Sequence, residues 1–442
     1  MSAHGERVID PGRLRAFSVA LDEGPPIDPV ALGGADGVLF AGPSLTLAGR
    51  GVAAVLPLAG GLEARSGLEA VADWLAAVAH TDLVGRPGSK VTALGALPFD
   101  RNAPGTLIVP ELLFARDAGG HEWAVVVTEE DRPPDPAKLR AQLTAAGSGA
   151  HAPPPGGNPG ALPTLQALPP PEGYEDAVNA GLGAIDAGAV EKVVLARCID
   201  ARMDAPPSAA DVIRRLWSQE PTCTAFAYPV EQGRFLGVTP ELLVARWSTQ
   251  VTCHPLAGTV GLGGVSDEDA IARFLESTKD RTEHELVVKE IALALGPLCS
   301  RLDVPTAPSL VRLHSVAHLG TLIRGTLWGT PPASVLGLLA DLHPTPAVAG
   351  VPRGAALELI ADNEAVPRGH WAGPVGWSDA GGDGEWMIGI RSLTLAGTTA
   401  RLCAGAGIVS GSVPHDELAE TTVKLAPVLD ALWPGSSSLL RR

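Results

Sequence analysis

The chain has 442 residues, 45% of them hydrophobic, which is enough for one large core or two subdomains. Asp and Glu number 49 against 33 Lys and Arg, and a net charge of −16 argues against nucleic acid or an anionic membrane as partner. The start is polar with no apolar h-region, no apolar run is long enough to cross a bilayer, and the five cysteines are scattered without a C-x-x-C. A cytoplasmic protein is therefore expected, with Cys198, Cys223, Cys253, Cys299 and Cys403 as reduced, mostly structural thiols.

In chain order, residues up to about 36 are broken by Pro and Gly and give no clear pattern. Residues 37–41 and 51–58 read as strands, and 62–80 as a helix with Leu68, Val71, Leu75 and Val78 on one face. Strands are expected at 91–99, 106–114 and 123–128, and a helix at 136–145. The Pro/Gly-rich passage 147–173, with proline triplets at 153–155 and 169–171, suits neither a helix nor a central strand. It reads as the connection between two halves, 1–165 and 166–442. Beyond it, 174–187 reads as a helix closed by Gly188, 192–199 as a strand, and Ser208 as the cap of a helix through Trp217. Short strands follow at 224–228, 234–237, 243–247 and 251–256, then at 373–377, 386–393, 395–396 and 400–404. Many short strands with helices between them predict an α+β fold: a large, mostly antiparallel β-sheet sandwich core with helices packed outside. No internal repeat is present, and the glycines at 405 and 407 do not fit G-x-G-x-x-G.

Two stretches share one design. Ser266 and Asp269 have capping-box spacing and open a helical region leading to 277–287. There Ser277 or Thr278 can cap a helix whose Asp280 and Glu283, at i and i+3, share a face ahead of the apolar Leu286, Val287 and Ile291. In 416–424, Glu417, Glu420 and Lys424 fall on one helical face, and Pro427 is expected to kink the helix beyond them. Two helices that each present paired acids suit a hard cation held by carboxylate oxygens, and two solvated acidic faces are the plain alternative.

Other residues could carry chemistry. Lys192 shares a strand face with Val194 and Ala196, where a desolvated lysine is a usable base; in water it is only a strand-edge charge. Glu241, set among apolar residues after Pro240, is a candidate general acid or an ordinary helix-start acid. Arg391 ends an apolar run and could clamp a carboxylate, or make a simple ion pair. Gly405 and Gly407 follow a strand and offer bare N–H groups to an anion, or form a plain tight turn. His343 reads as a hydrogen-bonded core histidine or, less readily, as an acid or base.

In order along the chain, EKVVLAR (191–197), TPELL (239–243), PLAGT (255–259), KDRTEHE (279–285), HPTPA (343–347), GPVGW (373–377), GEW (384–386), Ile390 with Arg391, AGAGIV (404–409) and Glu420-Thr-x-x-Lys424 resemble the chorismate-utilising enzymes, most nearly the isochorismate synthases. LGALPFD (94–100), Pro104 and LIVP (107–110) extend the resemblance back to about residue 91. The resemblance implies the fold of anthranilate synthase component I, a monomer, and a magnesium-dependent conversion of chorismate. It assigns Lys192 to activating water for attack at C2 and Glu241 to protonating the departing C4 hydroxyl. Glu283 and Glu420 become Mg²⁺ ligands, with Asp280 and Glu417 as accompanying acids. Arg391 and the backbone at Gly405 and Ala406 hold the enolpyruvyl carboxylate. Lys424 stands by a carboxylate near the metal, and Thr259 and His343 fall within matching motifs and join the substrate-binding set. The isochorismate product could feed siderophore or menaquinone synthesis. A salicylate synthase, an aminating relative (against which Lys192 speaks) and an inactive chorismate-binding protein are the alternatives. One departure is Val260-Gly-Leu-Gly-Gly264, where relatives often carry basic residues.

Overall fold

The computed structural model describes residues 9–148, 162–263 and 267–441. Ser266 of the expected capping box and the end of the Val260–Gly264 stretch lie outside them, although a helix at Asp267–Glu276 begins beside the former.

Two large sheets form the body. Among the described residues the larger holds 13 strands and the second nine. The larger runs from the edge strand Thr164–Leu168 through Lys192–Arg202, Thr399–Ile408, Ser392–Ala396, Gly233–Thr239 and Thr224–Val230. It continues through Val38–Ala41 and Leu45–Arg50 to Leu112–Asp117, Glu122–Thr128, Arg15–Ala20 and Ala79–Asp82. Neighbours are antiparallel except the last two, so the expected class holds. The sheets face each other across aromatic and branched side chains: Phe40, Trp123, Phe226 and Phe235 from one, Leu94, Ile108, Val375 and Trp377 from the other. Period-2 alternation aims these residues at one dry layer, and burial of such large apolar surfaces is the main stabilising term. Helices cover the far face of the larger sheet, packing Ile213, Leu216, Leu425 and Leu429 against Leu236, Leu393 and Leu402.

The boundary expected near residue 165 does not divide either sheet. Ala225 pairs with Ala41 in one, and Trp377 with Leu94 in the other.

Prolines and one unusual backbone angle account for most differences from the expected strands. Residues 106–114 are two strands, Gly105–Val109 and Leu112–Asp117, parted at Pro110; 251–256 divides at Pro255 into Gln250–His254 and Leu256–Gly261. The run 386–393 is also two strands, Gly384–Ile388 and Ser392–Ala396, broken where Arg391 takes φ of 50°. The helix placed at 62–80 is Arg65–Ala77, followed by the strand Ala79–Asp82. Within 147–173, Thr164–Leu168 is an edge strand, where few ladder bonds are demanded, and Pro171 opens the helix Pro171–Asp186 at its first position. The helix Pro414–Leu432 runs on through Pro427. Val335–Leu342 and Arg353–Asn363 are helices without a counterpart in the sequence reading.

Two elements carry the site. The strand Lys192–Arg202, here the lysine strand, pairs antiparallel with Thr399–Ile408, the glycine strand, from Val193 opposite Ile408 to Arg202 opposite Thr399. That register sets Cys198 against Cys403 with Cα atoms 4.0 Å apart, and the two form a disulfide. The expectation of five reduced thiols is thus corrected: directly opposed positions brought two distant cysteines together, while Cys223, Cys253 and Cys299 remain free and buried. No helix among the described residues is long and apolar enough to cross a membrane. Unfolded protein that has not been reduced should therefore titrate three thiols, rising to five after reductant. Five thiols before reduction would show that the two cysteines are merely neighbours.

Candidate active site

A cavity of about 70 Å³ opens where four strands, the two site strands among them, two helices and four loops meet. Val194 of the lysine strand and Ala404, Gly405 and Gly407 of the glycine strand form one side. The glycines are not a turn, as the sequence suggested, but lie inside a strand whose register opposite Ala196 and Val194 commits them to a ladder. Their value is the absent side chain. A Cβ on Gly407 would come within 2.1 Å of Glu283 Oε1 and 3.1 Å of Lys192 Cε, and one on Gly405 within 3.1 Å of Trp371 Cη2. Ala406, between them, is turned into the core and does not face the cavity.

Lys192 is wholly buried beside this floor, and its Nζ lies 3.0 Å from Glu283 Oε1. Glu283 comes from the helix Thr278–Leu295, which Ser277 caps by accepting a hydrogen bond from the Asp280 N–H, as its sequence predicts. Burial alone would raise Glu283, but Lys192, with Lys279 and Lys424 farther off, more than offsets it and holds the carboxyl below its usual range. The helix Pro414–Leu432 supplies the other acids and Lys424. Lys424 Nζ donates to Glu420 Oε1 at 2.6 Å and to the Gly405 carbonyl at 2.9 Å; Lys279 Nζ donates to the buried Glu417 at 2.7 Å.

The four acids expected to hold a metal are thus near one another, but each of three faces an ammonium group. Among the described residues no three acidic, His or Cys side chains close around one point. Glu283 alone of the four lines the cavity. The donor set still suits a hard divalent cation: four carboxylates from two helices. Asp280 is pushed up by burial and then by Glu283 and Glu420, and Glu417 by burial and then by Glu420.

Glu241 lines the cavity and is buried between the strands that flank it. Burial pushes its carboxyl up to about 7, against smaller opposing effects of the Leu256 N–H, Lys192, Lys424 and Arg391. Arg391 also lines the cavity, on the left-handed residue that breaks its strand. Its Nη2 donates to His318 Nε2 at 3.0 Å. His318 Nδ1 lies 2.9 Å from the Gly258 carbonyl, which can only accept, so Nδ1 carries the proton and Nε2 is free to receive Arg391. Burial and then the Arg391 and Lys424 charges keep the ring neutral, well below the usual histidine range. Thr259 Oγ1 sits 3.2 Å from the same Nδ1 and faces the cavity.

Of the sequence candidates, Glu241, Glu283, Arg391, Gly405, Thr259 and Lys424 line one cavity, and Lys192 sits behind its lining against Glu283. His343 does not join them. It is fully buried with Nε2 donating to the Phe99 carbonyl at 2.9 Å and its ring edge-on to Phe99, so it is a core histidine. Burial pushes it down to about 3. Two lining residues escaped the sequence reading, His318 and Trp371. Their only local signal was a polar or bulky side chain within apolar runs; the arginine and glycine they meet lie far away in sequence.

Residues 40–433 match the family described as chorismate binding enzyme. The chain is 35% identical over 353 residues to isochorismate synthase DhbC of Bacillus subtilis, covering 78% of this chain and 81% of that protein. The crystal structure of a putative 2,3-dihydroxybenzoate-specific isochorismate synthase, DhbC from Bacillus anthracis, superposes with a TM-score of 0.74 at 31% identity, covering 91% of this chain and 97% of that one. The menaquinone-specific isochorismate synthase MenF of Escherichia coli gives 0.75 at 25% identity, covering 95% and 94%.

The cavity acid supplies a test that needs no substrate. In difference infrared spectra of the free protein, two carboxyls, Glu241 and Glu385, should lose their protons with midpoints of about 7, and Glu241→Gln should remove one of the two bands. A spectrum unchanged by the substitution would show that Glu241 ionises with the ordinary carboxylates.

Proposed function

The chain belongs to the family of chorismate-binding enzymes, and on that premise we propose that it isomerises chorismate to isochorismate. The observation that carries the reading is a buried cavity acid, Glu241, that keeps its proton below about pH 7, and a buried lysine, Lys192, that meets the same cavity through Glu283. Addition of water at C2 with loss of the C4 hydroxyl needs a base on one reacting oxygen and an acid on the other. Lys192, as the free amine, takes a proton from water as its oxygen bonds to C2; the ring double bonds shift and the C4–O bond breaks. Glu241 gives its proton to the departing hydroxyl, which leaves as water. Atoms balance, since one water enters and one leaves.

Chorismate is a dianion in a strongly acidic protein, and its charge is met locally. Arg391, oriented by neutral His318, presents its guanidinium to the enolpyruvyl carboxylate. The bare strand at Gly405 gives the substrate room, and Lys424, tied to the Gly405 carbonyl, adds positive charge on that side. We assign Asp280, Glu283, Glu417 and Glu420 to a Mg²⁺ ion, which would neutralise the ring carboxylate when bound. Glu283, the partner of Lys192 here, would then serve as a ligand to that cation. The names of relatives point to both siderophore and menaquinone routes for isochorismate, and we leave the consuming pathway to be identified by what the product feeds.

Incubation with chorismate and Mg²⁺ should give isochorismate, and the same mixture should be reached starting from isochorismate. Stoichiometric salicylate and pyruvate would instead assign a salicylate synthase, and an amino product with ammonia an aminating enzyme. Lys192→Ala should lower kcat by roughly 10²–10⁴-fold with chorismate binding kept, as expected for loss of a general base. Wild-type turnover in that variant would remove Lys192 from the mechanism. Glu283→Gln or Glu420→Gln should raise the Mg²⁺ concentration needed for half-maximal rate, since an amide supplies oxygen without charge. Full activity of the wild type in chelator would dismiss the metal. Because Glu241 must be protonated to act, kcat/KM should fall as pH rises through about 7, the carboxyl being neutral below that value and ionised above it.

A further inference from the structure

The lysine strand is a continuous strand with a discontinuous neighbour. On the side away from the glycine strand, Lys192 and Val193 pair with Gly350–Val351, and pairing resumes only at Cys198, with Leu168. Between them the Val194 N–H reaches the Ala349 carbonyl, while the Val194 carbonyl and the Ala196 N–H have no strand beside them. Two side chains fill that gap. Glu364 Oε1 accepts from the Ala196 N–H at 2.9 Å, and Arg368 Nη2 donates to the Val194 carbonyl at 2.8 Å. Arg368 Nη1 donates to the Val348 carbonyl at 2.6 Å, and its Nε to Glu364 Oε2 at 2.9 Å. The guanidinium also lies over the Phe99 ring at 4.3 Å and the Trp371 ring at 5.2 Å. Both charged side chains are almost completely buried.

An ion pair in this position is a poor stabilising device by itself, because burying two charges costs about as much as their attraction returns. Its arrangement fits another purpose. Every backbone group it holds belongs to the cavity wall or lies beside it: Val194, Val348 and Trp371 line the cavity, and Val194 lies two residues from Lys192 on the same strand face. We propose that Glu364 and Arg368 are positioning residues, a side-chain splint that stands in for the missing strand and fixes the backbone carrying Lys192 and the wall made by Val194, Val348 and Trp371. The guanidinium is suited to this because its planar fork reaches two carbonyls and a carboxylate at once, which an ammonium cannot do.

The kinetic part of the test rests on the isochorismate reading; the exchange part does not. Glu364→Leu/Arg368→Met removes both charges together, so no buried charge is left unpaired and the fold is kept. In that variant the Ala196 amide should exchange with solvent at least ~10-fold faster, with the change confined to 192–198 and 347–349 and the melting temperature close to wild type. On chorismate, kcat should fall ~10–100-fold while KM stays within ~3-fold, because a displaced base slows chemistry more than it weakens binding. Arg368→Lys, which keeps the charge beside Glu364 but cannot bridge two carbonyls, is read in the same two ways should the double variant not accumulate as folded protein. Wild-type exchange at Ala196 in a folded variant overturns the splint whatever the enzyme turns over. Faster exchange with wild-type kcat overturns the link to catalysis. A protein that makes no isochorismate at all, yet shows the localised exchange, keeps the splint and fails the functional reading alone.

Discussion

Ten antiparallel residue pairs, from Val193 opposite Ile408 to Arg202 opposite Thr399, decide where everything else at the site can be. This register brings Gly407 across from Val194 and leaves a cleared floor beside Lys192, where any larger residue would meet the Glu283 carboxylate. It carries the helix Pro414–Leu432, six residues past the strand's end, into reach of the same floor, so that Lys424 can bond the Gly405 carbonyl. A slip of one residue would turn Lys192 and Val194 to the opposite face and put side chains where the substrate must lie. Burial on both faces of the lysine strand makes such a slip costly, which is why a chemically demanding floor can rest on a strand.

Charge at the site is managed in two opposite ways. Lysines and acids of the two acidic helices and the lysine strand are matched pair by pair: Lys192 with Glu283, Lys279 with Glu417, Lys424 with Glu420. Glu241 is given no such partner, and burial raises it to about 7, so that it keeps its proton below that pH. The same kind of carboxyl thus serves as a charge holder on the helices and as a proton donor between the strands, the difference lying wholly in what surrounds it. His318 belongs with Glu241 in this respect: kept neutral, it can accept from Arg391 and hold that guanidinium without competing for the anion it faces.

Features that depend on neighbours in sequence were legible beforehand. The Ser277 cap, the acid spacing on both helices and the Ser208 cap are written within a few residues, and the fold class follows from strand and helix order. The split of 386–393 at Arg391 was not, since nothing local demands a positive φ from an arginine; the bend is what turns its side chain toward His318. The glycines at 405 and 407 and the disulfide were misjudged for a common reason. Each depends on which strand lies alongside, and local pattern does not reveal pairing between residues two hundred positions apart. The pairings of Lys192 with Glu283 and Lys279 with Glu417 were invisible on the same ground, because periodicity places charges on a face but does not say what the face meets, whereas Lys424 and Glu420 lie four residues apart on one helix.

Cys198 and Cys403 mark another property of the long-range pairing: 205 positions separate them. At ordinary synthesis rates the lysine strand waits on the order of 10–40 s for its partner to be made. During that interval a run of Val, Leu, Cys and Ile has one edge without its native neighbour, the kind of segment that associates with other chains. The strand that holds the chemistry is therefore also a hazard in the nascent chain, and the yield of folded enzyme in a cell depends on how well that edge is shielded until the glycine strand arrives.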